Sequence, residues 1–193
     1  MRDKTVILCE GVHDLIFFSI LFDQNGINYK MIRNHELTET RERTPETNAI
    51  MHFLSRKGKG IRFLLKDEDG CTKCIDNFTI LYEDKDDRYQ IFLCLDGDQN
   101  NLSRLRRSIQ ERLRKDILLR LSDHAFQTKD PMKHHVFFIP DSLERQVQSI
   151  AGINLDAQSS DEKKREVLIA FIERCQSREI QWFTELRATL FSE

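Results

Sequence analysis

Two stretches of this chain end an apolar run on acids, and acids so placed can hold a metal ion or move a proton. Residues 5–9 read TVILC and run into Glu10-Gly11, and residues 90–95 read QIFLCL and run into Asp96-Gly97-Asp98. Asp96 and Asp98 are two apart, which on a continuing strand sets both carboxylates on one face. The glycine between them leaves room for a metal or phosphate to approach the backbone. Oxygen-only clusters of this kind suit hard cations, Mg²⁺ or Mn²⁺ above all. If the two strands are neighbours, Glu10, Asp96 and Asp98 share one rim, and three acids that close predict a bound cation or a raised carboxyl pKa. Asp-Gly-Asp alone is a common turn; its occurrence with strand-Glu-Gly in one α/β chain is the more specific signal.

These acids depend on the elements that carry them. Both apolar runs lack alternation, as expected of strands covered on both faces. After Gly11, the residues Leu15, Phe18, Leu21 and Phe22 fit one broad helical face from 12 to 24, stopped by Asn25-Gly26. Residues 29–32 and 61–65 read as further strands and 34–44 as a polar loop, while Pro45 opens a helix that ends in Lys57-Gly58-Lys59-Gly60. Ile75, Phe78, Thr79 and Tyr82 have helical spacing within 72–83, with a β-hairpin as the alternative. The strongest helical pattern covers 100–121, where Leu102, Leu105, Ile109, Leu113 and Ile117 recur every three or four residues. A polar loop follows, then a last strand at 136–139 and a helix from Pro140-Asp141-Ser142 through Ile150. A polar link at 152–160 leads to two closing helices, 163–174 and 177–190. Strands alternating with helices predict an α/β fold, a mostly parallel sheet flanked by helices on both faces over residues 1–152, with a C-terminal helical extension over 153–193 packed on it.

Composition removes several function classes. With 30 Lys+Arg against 32 Asp+Glu, bulk charge cannot drive histone-like wrapping of nucleic acid, although a local basic face remains open. Thirteen Phe beside only 3 Pro and 7 Gly can fill a core and exclude a low-complexity chain. No apolar stretch approaches the ~20 residues that span a bilayer. The first ten residues lack the basic-then-apolar layout of a signal peptide, and five scattered cysteines are unsuited to a disulfide framework. The expectation is a cytoplasmic protein with no membrane partner.

Strand-Cys9-Glu10-Gly11-Val12-His13-Asp14, followed much later by strand-Leu95-Asp96-Gly97-Asp98-Gln99 and a helix, resembles the Toprim domain shared by topoisomerases, bacterial primases and small or OLD-type nucleases. The resemblance covers roughly residues 4 to 150. It implies a compact α/β domain in which Glu10 is the general acid or base of phosphoryl transfer and Asp96 and Asp98 hold Mg²⁺. Asp14, one helical turn beyond Glu10, could order Glu10 or a metal-bound water. Ile139-Pro140-Asp141-Ser142-Leu143-Glu144 resembles the element where OLD-like members place another acid, which makes Glu144 a candidate second-metal ligand. An equally good reading makes Ser142 or Asp141 an N-cap and Glu144 a first-turn charge.

Breaking a phosphodiester requires an activated oxygen nucleophile, charge neutralisation on the nonbridging oxygens and protonation of the leaving oxygen. A polyanionic substrate also needs a basic approach. Residues 100–121 carry seven basic residues against two acidic ones, and Arg104, Arg106, Arg107 and Arg112 are the candidate nucleic-acid contacts, weighed against a plain solvated helix face. Arg56, Lys57, Lys59 and Arg62 form a second basic cluster without a Walker pattern. Cys71-Thr72-Lys73-Cys74 lacks a second ligand pair for zinc, His13 reads as a surface histidine, and Asp67-Glu68-Asp69-Gly70 is a lower-ranked acidic turn. Three tyrosines and no room for a second domain argue against a complete topoisomerase, and no zinc module marks a primase.

The expected function is therefore a Mg²⁺-dependent (or Mn²⁺-dependent) phosphodiester-cleaving protein acting on DNA or RNA, either as a homodimer or with a partner protein. The alternative is a Toprim-like module that binds metal and nucleic acid or nucleotide without turnover and regulates a partner. A phosphatase of the haloacid-dehalogenase type is a third reading, weakened because there the acid pair follows the first strand.

Overall fold

A computed structural model describes residues 4–33, 50, 52–54, 61–84, 89–97 and 102–191. Within them, seven strands form one sheet: β1 (Lys4–Cys9), β2 (Tyr29–Ile32), β3 (Phe63–Asp67), β4 (Tyr89–Asp96), β5 (Leu118–Arg120), β6 (Ala125–Thr128) and β7 (His135–Ile139). Their order is β2-β3-β1-β4-β7-β6-β5. The pairs β2·β3, β3·β1, β1·β4 and β4·β7 are parallel, and β7·β6 and β6·β5 are antiparallel. The mixed α/β fold with a mostly parallel sheet is thus the observed one. Its helices are α1 (Val12–Gln24), α2 (Cys71–Glu83), α3 (Leu102–Leu113), α4 (Leu143–Ala151), α5 (Asp161–Ser177) and α6 (Gln181–Phe191).

The central strands are apolar on both faces because both faces are covered. Along β1, Val6 and Leu8 point into one apolar cluster while Ile7 and Cys9 point into the other. Ile91, Leu93 and Leu95 of β4 alternate with Phe92 and Cys94 in the same way. One face is closed by α2 and α3 through Ile75, Phe78, Leu105 and Ile109. The opposite face is closed by α1, α4, α5 and α6, and α1 is buried from Leu15 to Phe22 because the sheet and the closing helices enclose it. Phe17 meets Phe171 of α5 and Phe183 of α6 with ring centroids 6.2 Å apart in each case, so the C-terminal helices complete the first core rather than building their own.

Three sequence readings change. The helix expected over 100–121 stops at Leu113, where Arg114 takes φ 51. Ile117 keeps the helical spacing but is buried from the stretch just before the short edge strand β5, and Leu118 is buried from that strand's first position. The polar loop after it contains β6, whose brief AFQT run gives little periodicity to read. Lastly, the Asp67-Glu68-Asp69-Gly70 turn is no exposed acidic patch: Glu68 is fully buried and accepts from Lys66 Nζ at 2.5 Å and Asn77 Nδ2 at 2.7 Å. Cys71–Glu83 is a helix, not a hairpin. The loop expected over 34–44 and most of the helix opened by Pro45 lie outside the described residues, as do Arg56, Lys57 and Lys59.

Candidate functional site

Strand order decides where a ligand can sit. From β1 the chain moves to one side through β2 and β3, then returns to place β4 on the other side of β1. The chain thus leaves β1 and β4 toward opposite sides of the sheet, and the carboxyl ends of two such strands are the position where open α/β sheets bind ligands. Because β1 and β4 are parallel and in direct register, with Leu8 opposite Leu93, the acids that follow them meet there.

The Asp96 amide donates to Glu10 Oε1 at 2.8 Å, so the end of one strand fixes the acid of the other. Asp96 Oδ1 in turn accepts from the Leu143 amide at 3.3 Å, in the first turn of α4. Gly97 donates to the Ile139 carbonyl at 2.6 Å, and a Cβ added at Gly97 would lie 2.6 Å from that same oxygen. Glycine is therefore required by close backbone approach. Gly97→Ala should destabilise the chain by about 1–3 kcal/mol, as overpacking does, read as a lower urea midpoint at unchanged slope.

Asp14 completes the crevice from α1. Its Oδ2 accepts from the Gly11 amide at 3.0 Å, capping the helix, while Oδ1 is buried without a hydrogen-bond partner. Burial, with the nearby Glu144 and Glu10 charges, pushes the Asp14 carboxyl up to about 8 against the pull of the Gly11 bond. Burial, then Asp14, Glu10 and Glu144, pushes Asp96 up to about 9. Both shifts show negative charge crowded into a sheltered space, the state that a cation relieves. Glu10, Asp14 and Asp96 are all oxygen donors, the chemistry a hard divalent ion prefers, and one buried Asp14 oxygen lacks a partner; among the described residues, however, the three ligating side chains whose donor atoms lie within 4.8 Å of one another are His13, Glu144 and Asp156, not these.

Glu144 stands beside this group and is engaged elsewhere: His13 Nδ1 lies 2.6 Å from its Oε1. That hydrogen bond, ahead of the opposing effect of burial, holds the Glu144 carboxyl below its ordinary range. Ser142 is the N-cap of α4, its hydroxyl accepting from the Arg145 amide, so the capping reading of this segment holds. Ser142→Ala should cost about 1 kcal/mol, checked by denaturant unfolding. His13, expected at the surface, is instead largely sheltered by Glu144.

Cys71 was not expected here. Sitting at the start of α2, its thiol hydrogen-bonds Glu10, and burial followed by the Glu10 charge pushes it up to about 12. Its partner in the CxxC motif, Cys74, is wholly buried in the core. No sequence signal tied Cys71 to Glu10, because the link is the β3-to-α2 turn, where the Gly70 amide donates to the Glu10 carbonyl.

Of the remaining candidates, Asp98 lies outside the described residues. Arg104, Arg106, Arg107 and Arg112 are on α3, whereas Arg114, Lys115 and Arg120 lie beyond its end. Arg112 pairs with Asp76 at 2.6 Å and Arg106 with Asp116 at 3.3 Å, and Arg104 and Arg107 are exposed on the same helix. No helix among the described residues is long and apolar enough to cross a membrane.

No family model matches the chain, and no curated protein matches it. Among solved structures it aligns with two de novo designed proteins of P-loop NTPase fold, at TM-score 0.38 and 14% identity over 92% of this chain and 96% of theirs.

Proposed function

We propose that the chain is a Toprim-like, Mg²⁺-dependent phosphodiesterase acting on DNA or RNA. The observation that carries this reading is that Glu10 and Asp96 stand at the adjacent ends of β1 and β4, where the Asp96 amide donates to Glu10 at 2.8 Å and the Asp14 and Glu10 charges act on the Asp96 carboxyl. Asp96 and Asp14 would hold the ion. Bound there, Mg²⁺ would neutralise charge on the nonbridging phosphate oxygens. Glu10 is held on one oxygen by the Asp96 amide and touched by the Cys71 thiol, a weak donor that water or a leaving oxygen would replace. Fixed in this way, Glu10 exchanges a proton with the reacting oxygen without reorienting. Arg104 and Arg107, exposed on the helix that follows β4, supply the phosphate-backbone contact. Five free thiols suit a reducing compartment, and a cytoplasmic location is part of the proposal.

Purified protein should cleave at least one of single- or double-stranded DNA or RNA in Mg²⁺ or Mn²⁺ and none in EDTA. Metal-dependent retention on nucleic acid without product would favour the binding-module alternative. Neither retention nor product on any of the four would remove the nucleic-acid reading altogether.

A further inference from the structure

A second group of ligating atoms lies next to the acidic crevice and differs from it in chemistry. His13 Nδ1 is 2.6 Å from Glu144 Oε1 and 3.7 Å from Asp156 Oδ1, and the three atoms lie within 4.8 Å of one another. We propose that His13, Glu144 and Asp156 form a binding site for a divalent transition-metal ion, Zn²⁺ by chemical class, separate from the oxygen-only set at Glu10 and Asp96.

The spacing suits the ion. Zinc bonds of about 2.0–2.2 Å to nitrogen and oxygen place tetrahedral ligand atoms roughly 3.4 Å apart. The His13–Asp156 separation is already near that figure. The His13–Glu144 hydrogen bond would open by less than an ångström as the ion displaces the Nδ1 proton. Imidazole nitrogen selects a borderline metal over Mg²⁺, which is why this set and the crevice would hold different ions.

Charge and shelter point the same way. Asp14, the residue after His13, is 6% exposed and its Oδ1 has no hydrogen-bond partner. His13 meets the Glu144 and Asp156 carboxylates with a single imidazole, so at most one positive charge stands against two negative ones. The His13 and Glu144 side chains are 13% and 28% exposed, while Asp156 is 69% exposed and leaves the site open to solvent. Asp156 is nevertheless anchored, because Leu155 beside it is fully buried in the core. An ion held here would tie α1 and α4 to the 152–160 link and so to the C-terminal helices.

Co²⁺ absorption and Zn²⁺ calorimetry on the full chain test the site. At least one equivalent should bind to the wild type, and one should remain in the Glu10→Gln/Asp96→Asn double variant, whose binding separates this site from the proposed nuclease centre. His13→Ala and Asp156→Ala should each weaken binding by roughly tenfold or more, since even outer-shell changes cost that much. Asp156→Ala removes an exposed side chain and should leave the circular dichroism spectrum and thermal midpoint as in the wild type. Absence of binding, undiminished binding in both alanine variants, loss of binding in the double variant alone, or a sulfur-to-cobalt charge-transfer band that assigns the ion to Cys71 would each overturn the proposal.

Discussion

Glu10→Gln and Asp96→Asn should each lower metal-dependent cleavage by roughly a hundredfold or more while leaving the fold intact, because each removes a charge or proton-transfer group and almost no volume. The glutamine of the first variant keeps a carbonyl oxygen for the Asp96 amide, and the asparagine of the second keeps one for the Leu143 amide, so both hydrogen bonds that define the crevice survive. Each variant also removes one acid from a crowded set. Stability in EDTA should therefore hold or rise while activity falls, a combination that a folding defect cannot produce. Initial rates beside thermal midpoints check it; rates equal to wild type in both variants would defeat the nuclease reading.

In EDTA, the folded chain should lose stability as pH rises from about 4 to about 9. Asp14 and Asp96 hold their protons up to about 8 and about 9 in the folded state, whereas in the unfolded chain they ionise near the ordinary carboxyl value. The folded state thus binds more protons across this window, and stability falls as pH rises through it. The contribution is fully present below the unfolded value and fully lost above the folded one. Mg²⁺ binds the ionised cluster, so it should raise the thermal midpoint at pH 9 by several degrees and at pH 5 by very little. Asp14→Asn keeps an oxygen for the Gly11 amide and removes the charge, so it should flatten the pH dependence in EDTA and shrink the Mg²⁺ response. A thermal midpoint that rises with pH in EDTA would refute the crowded-charge account.

Fold class was legible because burial on both faces leaves unbroken apolar runs, and β1, β4 and β7 all carry them. Where tertiary context overrides local pattern, the reading failed. Ile117 continues the α3 spacing, yet the chain has already turned at Arg114, and only pairing with β6 makes a strand of the residues beyond it. Glu68 looked like a turn acid because nothing in its neighbourhood reveals that Lys66, on the same strand end, is buried with it. In the crevice, Glu10 and Asp96 were legible as strand-end acids. Asp156 was not, since its approach to His13 depends on Leu155 docking the polar link into the core.

The bond from the Asp96 amide to the Glu10 side chain has a consequence for assembly. An acid from one strand is gripped by the main chain of its neighbour, so alignment of the two ribbons and arrangement of the reactive groups are a single event. Sliding β4 by one position would turn the Asp96 side chain to the reverse side and withdraw its amide from Glu10. Turnover, if measured, would then report correct strand pairing as faithfully as it reports chemistry.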